Sequence, residues 1–123
     1  VPMDVVDDAN ALGTKASKGA RTVLFWPSTK GSSFSLHEED DKISTLTADA
    51  AGLSFSRSTR PVLVRWREET TATKVLLDTT ELAMVASRAE LDTVKSGWFR
   101  DAATRSLWIK VEATPNKFTI SVR

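Results

Sequence analysis

Two clusters of adjacent carboxylates supply the side chains that could perform acid–base chemistry in this 123-residue chain. They are residues 38–41 (Glu-Glu-Asp-Asp) and residues 68–69 (Glu-Glu). Hydrolysis of a glycosidic bond needs two carboxyl groups that face each other across a cleft, roughly 5–9 Å apart. Neighbours on one loop do not face a cleft. We therefore predict that both clusters are solvated turns, and we assign no catalytic residue.

The first acidic run is also the candidate metal site. Calcium binds several oxygen ligands on a segment that can fold around it. Four consecutive acids supply the charge, but their spacing differs from the alternating ligands of an EF-hand loop. A weak structural calcium site stays open, and no other cofactor is predicted. Its ligands would be Glu38, Glu39, Asp40 and Asp41.

Composition excludes several other chemistries. The chain has no cysteine, which excludes disulfides, thiolate chemistry and Cys-ligated zinc. Its single histidine, His37, is typical of a surface residue beside acids, and we assign it no role. Seventeen Lys and Arg against sixteen Asp and Glu give a net charge of +1, so no nucleic-acid partner is predicted. No apolar run approaches the length of a membrane span, and no membrane partner is predicted.

Tryptophan is the residue type here that could bind a ligand. Trp108 follows Leu107 and precedes Ile109, which places it on the opposite, wetted face of a predicted strand. An indole there can stack on the apolar face of a sugar or cover a second domain. Trp26, which ends an apolar run, is ambiguous in the same way. Trp66 alternates with buried valines and is predicted to lie in the core.

Arginines form a second candidate surface. The predicted stripe comprises Arg57, Arg60, Arg65 and Arg67. Sheets that bind nucleic acid carry aromatic side chains between the basic ones on the exposed face. This stripe has none, so we expect a solvated sheet face with cross-strand ion pairs.

Period-2 alternation of apolar residues dominates the chain from residue 20 onward. It predicts an all-β fold, an antiparallel β-sandwich of about eight short strands with at most one short helical turn. Residues 1–19 are interpreted as a lead-in with a short strand at Met3–Val6, and residues 20–123 as one domain. Ser87 and Glu90 match a capping box, which predicts the helical turn.

Turn residues between the strands predict four hairpins. They pair residues 22–26 with 33–37, 53–57 with 61–66, 74–78 with 82–85, and 97–100 with 106–112. A last strand is predicted at residues 117–122.

Two segments resemble the distal C-terminal β-domains of glycoside hydrolase family 31. Residues 26–41, with Trp-Pro and then Gly-Ser-Ser-Phe-Ser-Leu-His-Glu-Glu-Asp-Asp, resemble a strand and acidic loop of that family. Here His37 replaces a tyrosine, and Lys42 stands where the family has a glycine. Residues 97–111 are similar to a Gly-Trp-Tyr-Tyr-Asp-Ala-Ala-Thr-Arg motif near the end of some members. The resemblance covers roughly residues 23–122.

The resemblance implies a non-catalytic accessory domain of an α-glucosidase-like enzyme, whose partner would be the catalytic domain of that enzyme. No catalytic residue carries over, because that family's reaction occurs in a (β/α)₈ barrel of roughly 250 residues. This hypothesis predicts a sizeable exposed apolar patch. A carbohydrate-binding module that stacks an α-glucan or oligosaccharide on Trp108 and Trp26 is the alternative. An interaction domain with an exposed β-edge is the third.

Overall fold

Strands account for most of the structure, a computed structural model that describes residues 3–6, 21–25, 32–37, 42–49, 52–58, 61–67 and 73–123. Within these residues the chain forms eleven strands and one short helix. The strands are β1 (Met3–Val6), β2 (Arg21–Phe25), β3 (Ser32–His37), β4 (Ile43–Asp49), β5 (Gly52–Phe55), β6 (Val62–Arg67), β7 (Val75–Leu77), β8 (Thr80–Glu81), β9 (Gly97–Asp101), β10 (Ser106–Val111) and β11 (Phe118–Val122). The helix is α1 (Arg88–Leu91).

These strands form two sheets. The first sheet has five strands in the order β1-β2-β6-β10-β9, and the second has six in the order β3-β4-β5-β11-β7-β8. The predicted all-β sandwich is therefore confirmed. One described pair differs from the antiparallel expectation, because β2 runs parallel to β6, with Val23 opposite Val64.

The core lies between the sheets and follows the alternation in the sequence. Val62, Val64 and Trp66 on β6 are buried, and Trp66 is only 7% exposed, as predicted. On the second sheet Phe55 and Phe118 are cross-strand partners, and their rings stack with centroids 4.8 Å apart. Burial of such large apolar side chains is the main source of stability in a domain of this size.

Two of the predicted hairpins are wrong. β2 belongs to the first sheet and β3 to the second, while β5 belongs to the second and β6 to the first. Alternation identifies the buried face of a strand but does not say which sheet the strand joins. The chain instead crosses between the sheets at these points. β3 pairs with β4, a strand that the sequence analysis did not predict.

The hairpin of β9 and β10 is confirmed, with Trp108 opposite Phe99. The hairpin at β7 is tighter than predicted, since Leu77 pairs with Thr80 across a turn at Asp78 and Thr79. Asp78 has a φ of 56°, a left-handed value that aspartate tolerates. Residues 82–85 do not form the predicted partner strand. Leu82 donates its amide to the carbonyl of Val75 on β7 at 2.8 Å, and Met84 forms a parallel bridge with Trp98.

Gly52 opens β5 where the chain returns from β4. Its φ of 138° is in a region that side chains rarely adopt, and a Cβ there would lie 2.1 Å from the carbonyl oxygen of Ile120. Glycine is therefore required for β5 to approach β11 this closely. No helix in the described ranges has the length and apolar character to cross a membrane.

Candidate functional site

Three side chains form a row across the outer face of the first sheet. Trp108 on β10 lies between its register partners, Arg65 on β6 and Phe99 on β9. Its neighbours Leu107 and Ile109 point the other way and are fully buried in the core. Trp108 is thus on the outer face, the position from which it could contact a ligand or a second domain.

The segment that carries α1 lies over part of this outer face. Ser87 is the N-cap, and its hydroxyl accepts a hydrogen bond from the Glu90 amide at 3.1 Å. The Glu90 carboxylate in turn accepts from the amide of Ala86 at 3.1 Å. The predicted helical turn and its cap at Ser87 are therefore confirmed, whereas the Glu90 carboxylate binds the amide of the residue before the cap instead of the amide of Ser87.

A small apolar cluster, separate from the main core, joins α1 to the sheet. Leu63 and Leu91 are its buried centre. Packed around them are Val85, Val94, Phe99 and Trp108. Gly97 permits this close approach, since a Cβ there would lie 3.1 Å from the carbonyl oxygen of Ala83. Part of the Trp108 indole is consequently covered by the protein itself.

Two guanidinium groups lie over the indole of Trp108. The Cζ of Arg65 is 5.5 Å and that of Arg88 is 5.2 Å from the centre of the ring. Such cation–π contacts contribute roughly 0.5–2 kcal/mol each, depending on solvent exposure. Arg88 also forms an ion pair with Asp92, one helical turn further along. The indole of Trp108, which is half-buried, therefore has guanidinium groups as its neighbours.

Arg65 is held by a second contact. Its Nε donates to the hydroxyl of Ser106 at 3.3 Å, and that hydroxyl donates to the carbonyl of Thr104 at 3.2 Å. Ser106 is fully buried, whereas its register partner Arg67 is exposed. The ion pairs predicted for this stripe are not formed by Arg65 or Arg67 within the described part of the chain.

The far end of the same face is closed by polar contacts. Lys110 donates through Nζ to the carbonyl of Asp92 at 3.1 Å, which ties β10 to the end of the α1 segment. On the inner side, the indole Nε1 of Trp98 donates to the carbonyl of Leu82 at 3.2 Å. These contacts fix the segment over the sheet, so the surroundings of Trp108 are preorganised.

Several predicted site residues lie outside the described residues. They are Trp26, Glu38, Glu39, Asp40 and Asp41. Sugar stacking on Trp26 and calcium binding by the acidic run therefore stay predictions. Within the ranges that the structure describes, no group of three or more acidic or histidine side chains is arranged to hold a metal ion.

The sequence analysis missed Arg88 as a neighbour of Trp108. The capping box located α1 correctly, but the pattern of one short helix does not show which sheet face it covers. The paired Arg88 and Asp92, four residues apart on a helix, were the available signal for a half-exposed helical turn.

Neither a family profile nor a curated protein sequence matches this chain. Solved structures do match its fold. A cycloalternan-forming enzyme from Listeria monocytogenes, in complex with a pentasaccharide substrate, has a TM-score of 0.77 at 15% identity. An uncharacterized protein of L. monocytogenes EGD-e has a TM-score of 0.77 at 14% identity. A GH31 (glycoside hydrolase family 31) dextranase from Flavobacterium johnsoniae, complexed with isomaltotriose, has a TM-score of 0.64 at 14% identity.

The aligned share of each chain shows which part of the matched proteins this chain resembles. The three matches span 96%, 98% and 85% of this chain, but only 12%, 13% and 17% of the chains matched. This chain therefore has the fold of a β-sandwich domain that occurs inside much longer proteins, two of which are carbohydrate-active enzymes. The predicted resemblance to glycoside hydrolase family 31 is confirmed in the fold, through the dextranase.

Proposed function

We propose that this chain is a non-catalytic accessory domain of a larger, α-glucosidase-like carbohydrate-active enzyme, where it packs against and stabilises the catalytic domain. The proposal rests on how much of each chain the structural matches cover. Nearly the whole chain matches a domain that makes up 12–17% of each matched protein, two of which act on saccharides. A domain shared at this size fits an appended module better than a complete enzyme.

The exposed hydrophobic side chains differ from what the sequence analysis predicted for an accessory domain. The large hydrophobic side chains exposed in the described residues are Ile43, at 54%, and Met84, at 64%. Ile43 lies on the second sheet, whereas Met84 lies beside β9 of the first. The sizeable apolar patch that was predicted is therefore not found in the described residues. Contacts between domains of one chain are more polar than obligate interfaces, and we expect a polar interface here.

The size of the native polypeptide tests this function directly. Immunoblotting and intact-mass measurement from the source organism should detect a polypeptide far larger than 13.5 kDa that contains this sequence. Deleting the domain from that polypeptide should then lower its thermal unfolding temperature. A 13.5 kDa product with no larger precursor in a pulse-chase experiment would contradict the proposal.

A second candidate function is contact with an α-glucan or oligosaccharide through Trp108. The observation in its favour is the fixed row of Arg65, Trp108 and Phe99 on an outer sheet face. Titration of the chain with oligosaccharides tests it, with Trp108→Ala as the variant that should lose binding. The first function does not depend on the result, because an accessory domain can serve packing alone.

A further inference from the structure

Two arginine side chains lie on the outer face of the first sheet. Arg65 and Arg67 project from the same face of β6, two residues apart. Arg67 is exposed, and Ser106 is its register partner. We call Arg65 and Arg67 the arginine site.

The guanidinium of Arg65 is fixed in orientation but is mostly unused as a donor. A guanidinium has five N–H groups, and Arg65 uses its Nε–H for Ser106 while its Cζ lies over the ring of Trp108. Within the described residues, its terminal Nη groups form no hydrogen bond or ion pair with the protein. This leaves the two-pronged end of the guanidinium available, held in place before any ligand arrives.

Neither Arg65 nor Arg67 is paired with a carboxylate within the described residues. Two acids are equally near by register. Asp101 on β9 is two strands from Arg67, and Asp4 on β1 is two strands from Arg65 through Leu24. The Asp101 carboxylate accepts from the Thr104 amide at 3.4 Å. Both guanidinium groups therefore lack a carboxylate partner in the part of the chain that the structure describes.

We propose that the arginine site binds the carboxylate or sulfate group of an acidic saccharide, with Arg65 as the oriented two-pronged donor and Arg67 as the second cation. Planar guanidinium groups match the paired oxygens of these anions, which lysine does not do. The inference rests on the second function proposed above, contact with a glycan, and it changes the expected ligand from a neutral to an acidic one.

Binding measurements with the full 123-residue chain test this inference. The probes are polygalacturonate for carboxylates, dextran sulfate for sulfates, dextran for neutral sugar and polyglutamate for carboxylates without sugar. We expect at least one acidic saccharide to bind more tightly than both dextran and polyglutamate. Arg67→Gln should weaken that binding about ten- to a hundredfold, the value of a charged hydrogen-bonded contact.

Two variants make the result specific. Arg67→Lys keeps the positive charge that the proposal requires at this position, so it should retain most of the affinity that Arg67→Gln loses. Lys117→Gln removes the same charge from an exposed position before β11 of the second sheet and should leave binding unchanged. Cooperative unfolding of each variant confirms that it is folded. Because Arg67 is exposed, its replacement leaves the packing of Trp108 intact.

The other outcomes overturn the inference in distinguishable ways. Equal binding of polyglutamate and the acidic saccharides would show that charge alone is recognised. Tight binding of dextran that Arg67→Gln does not alter would retain the second function and exclude the arginine site. Absence of binding to every saccharide would remove both, while the proposed accessory role would still be decided by the size of the native polypeptide.

Discussion

Arg65 and Trp108 are register partners on β6 and β10, and the Arg65 guanidinium lies over the indole at 5.5 Å from its centre. The Trp108 indole links the arginine site to the apolar cluster under α1, because the same ring that contacts Arg65 also packs against Leu63 and Leu91. Changes at Trp108 should therefore be detected both in the stability of the domain and in the orientation of Arg65.

Replacing Trp108 with alanine should destabilise the domain. The indole is half-buried against Leu63 and Leu91, so we expect a loss of about 2 kcal/mol in the free energy of unfolding, below the 3–5 kcal/mol of a fully buried aromatic. Urea denaturation measures the change. Trp108→Phe is the matched control, since it keeps a ring on the cluster and should cost less. Unchanged stability in Trp108→Ala would mean that the indole is a free platform for a ligand.

Removing the helix cap should loosen the α1 segment. Ser87→Ala deletes the acceptor for the Glu90 amide, and we expect a cost of about 1 kcal/mol. Ser87→Asp should retain most of the stability, because a carboxylate also caps a helix. Denaturant unfolding compares the variants. If alanine and aspartate behave alike, the hydrogen bond at the cap does not hold this segment.

The two glycines should differ in their tolerance of alanine. Gly52→Ala combines a φ of 138° with a Cβ only 2.1 Å from the carbonyl of Ile120, so it should prevent stable folding or cost more than about 3 kcal/mol. Gly97→Ala meets the Ala83 carbonyl at 3.1 Å and should cost about 1–2 kcal/mol. Thermal unfolding monitored by circular dichroism ranks the two. The reverse order would contradict the close approach of β5 to β11.

Removing the indole N–H of Trp98 should show how much one buried hydrogen bond contributes to the stability of the domain. Trp98→Phe leaves the carbonyl of Leu82 without its donor in a site where Trp98 is only 3% exposed. We expect a cost of about 1–3 kcal/mol, in addition to the smaller ring. Hydrogen exchange of the amide of Trp98, which bonds to Ala83, should accelerate as well. Protection equal to that of the native chain would show that this bond is dispensable.

Local patterns predicted those parts of the fold in which partners are close in sequence. β9 and β10 face each other across four residues, and the alternation of Leu107 and Ile109 in the sequence predicts that Trp108 lies on the outer face, where the structure has it. The sheet assignment of β2 and β6 could not be predicted, because these strands pair with each other and are distant along the chain. β3 and β5 were assigned wrongly because their near partner, β4, was not predicted.

Two further failures have definite physical causes. β4 was missed because its buried positions include Ser44 and Ala48, whose short side chains give a weak apolar signal. The contact between Arg88 and Trp108 depends on where α1 lies over the sheet, and no periodicity within either element encodes that placement. The position of Trp108 on the outer face was therefore predictable from the sequence, whereas its contact with Arg88 was not.

The crossing of the chain between the sheets has a consequence for the speed of folding. Arg65 and Ser106 are 41 positions apart, and the hydroxyls of Ser54 and Thr119, which bond across the second sheet, are 65 apart. Bringing such distant segments together costs chain entropy before any contact compensates for it, and topologies of this kind fold in about milliseconds to seconds. The local hairpins β3–β4, β4–β5, β7–β8 and β9–β10 are the units that can form early, and neither sheet is complete until its distant strands arrive.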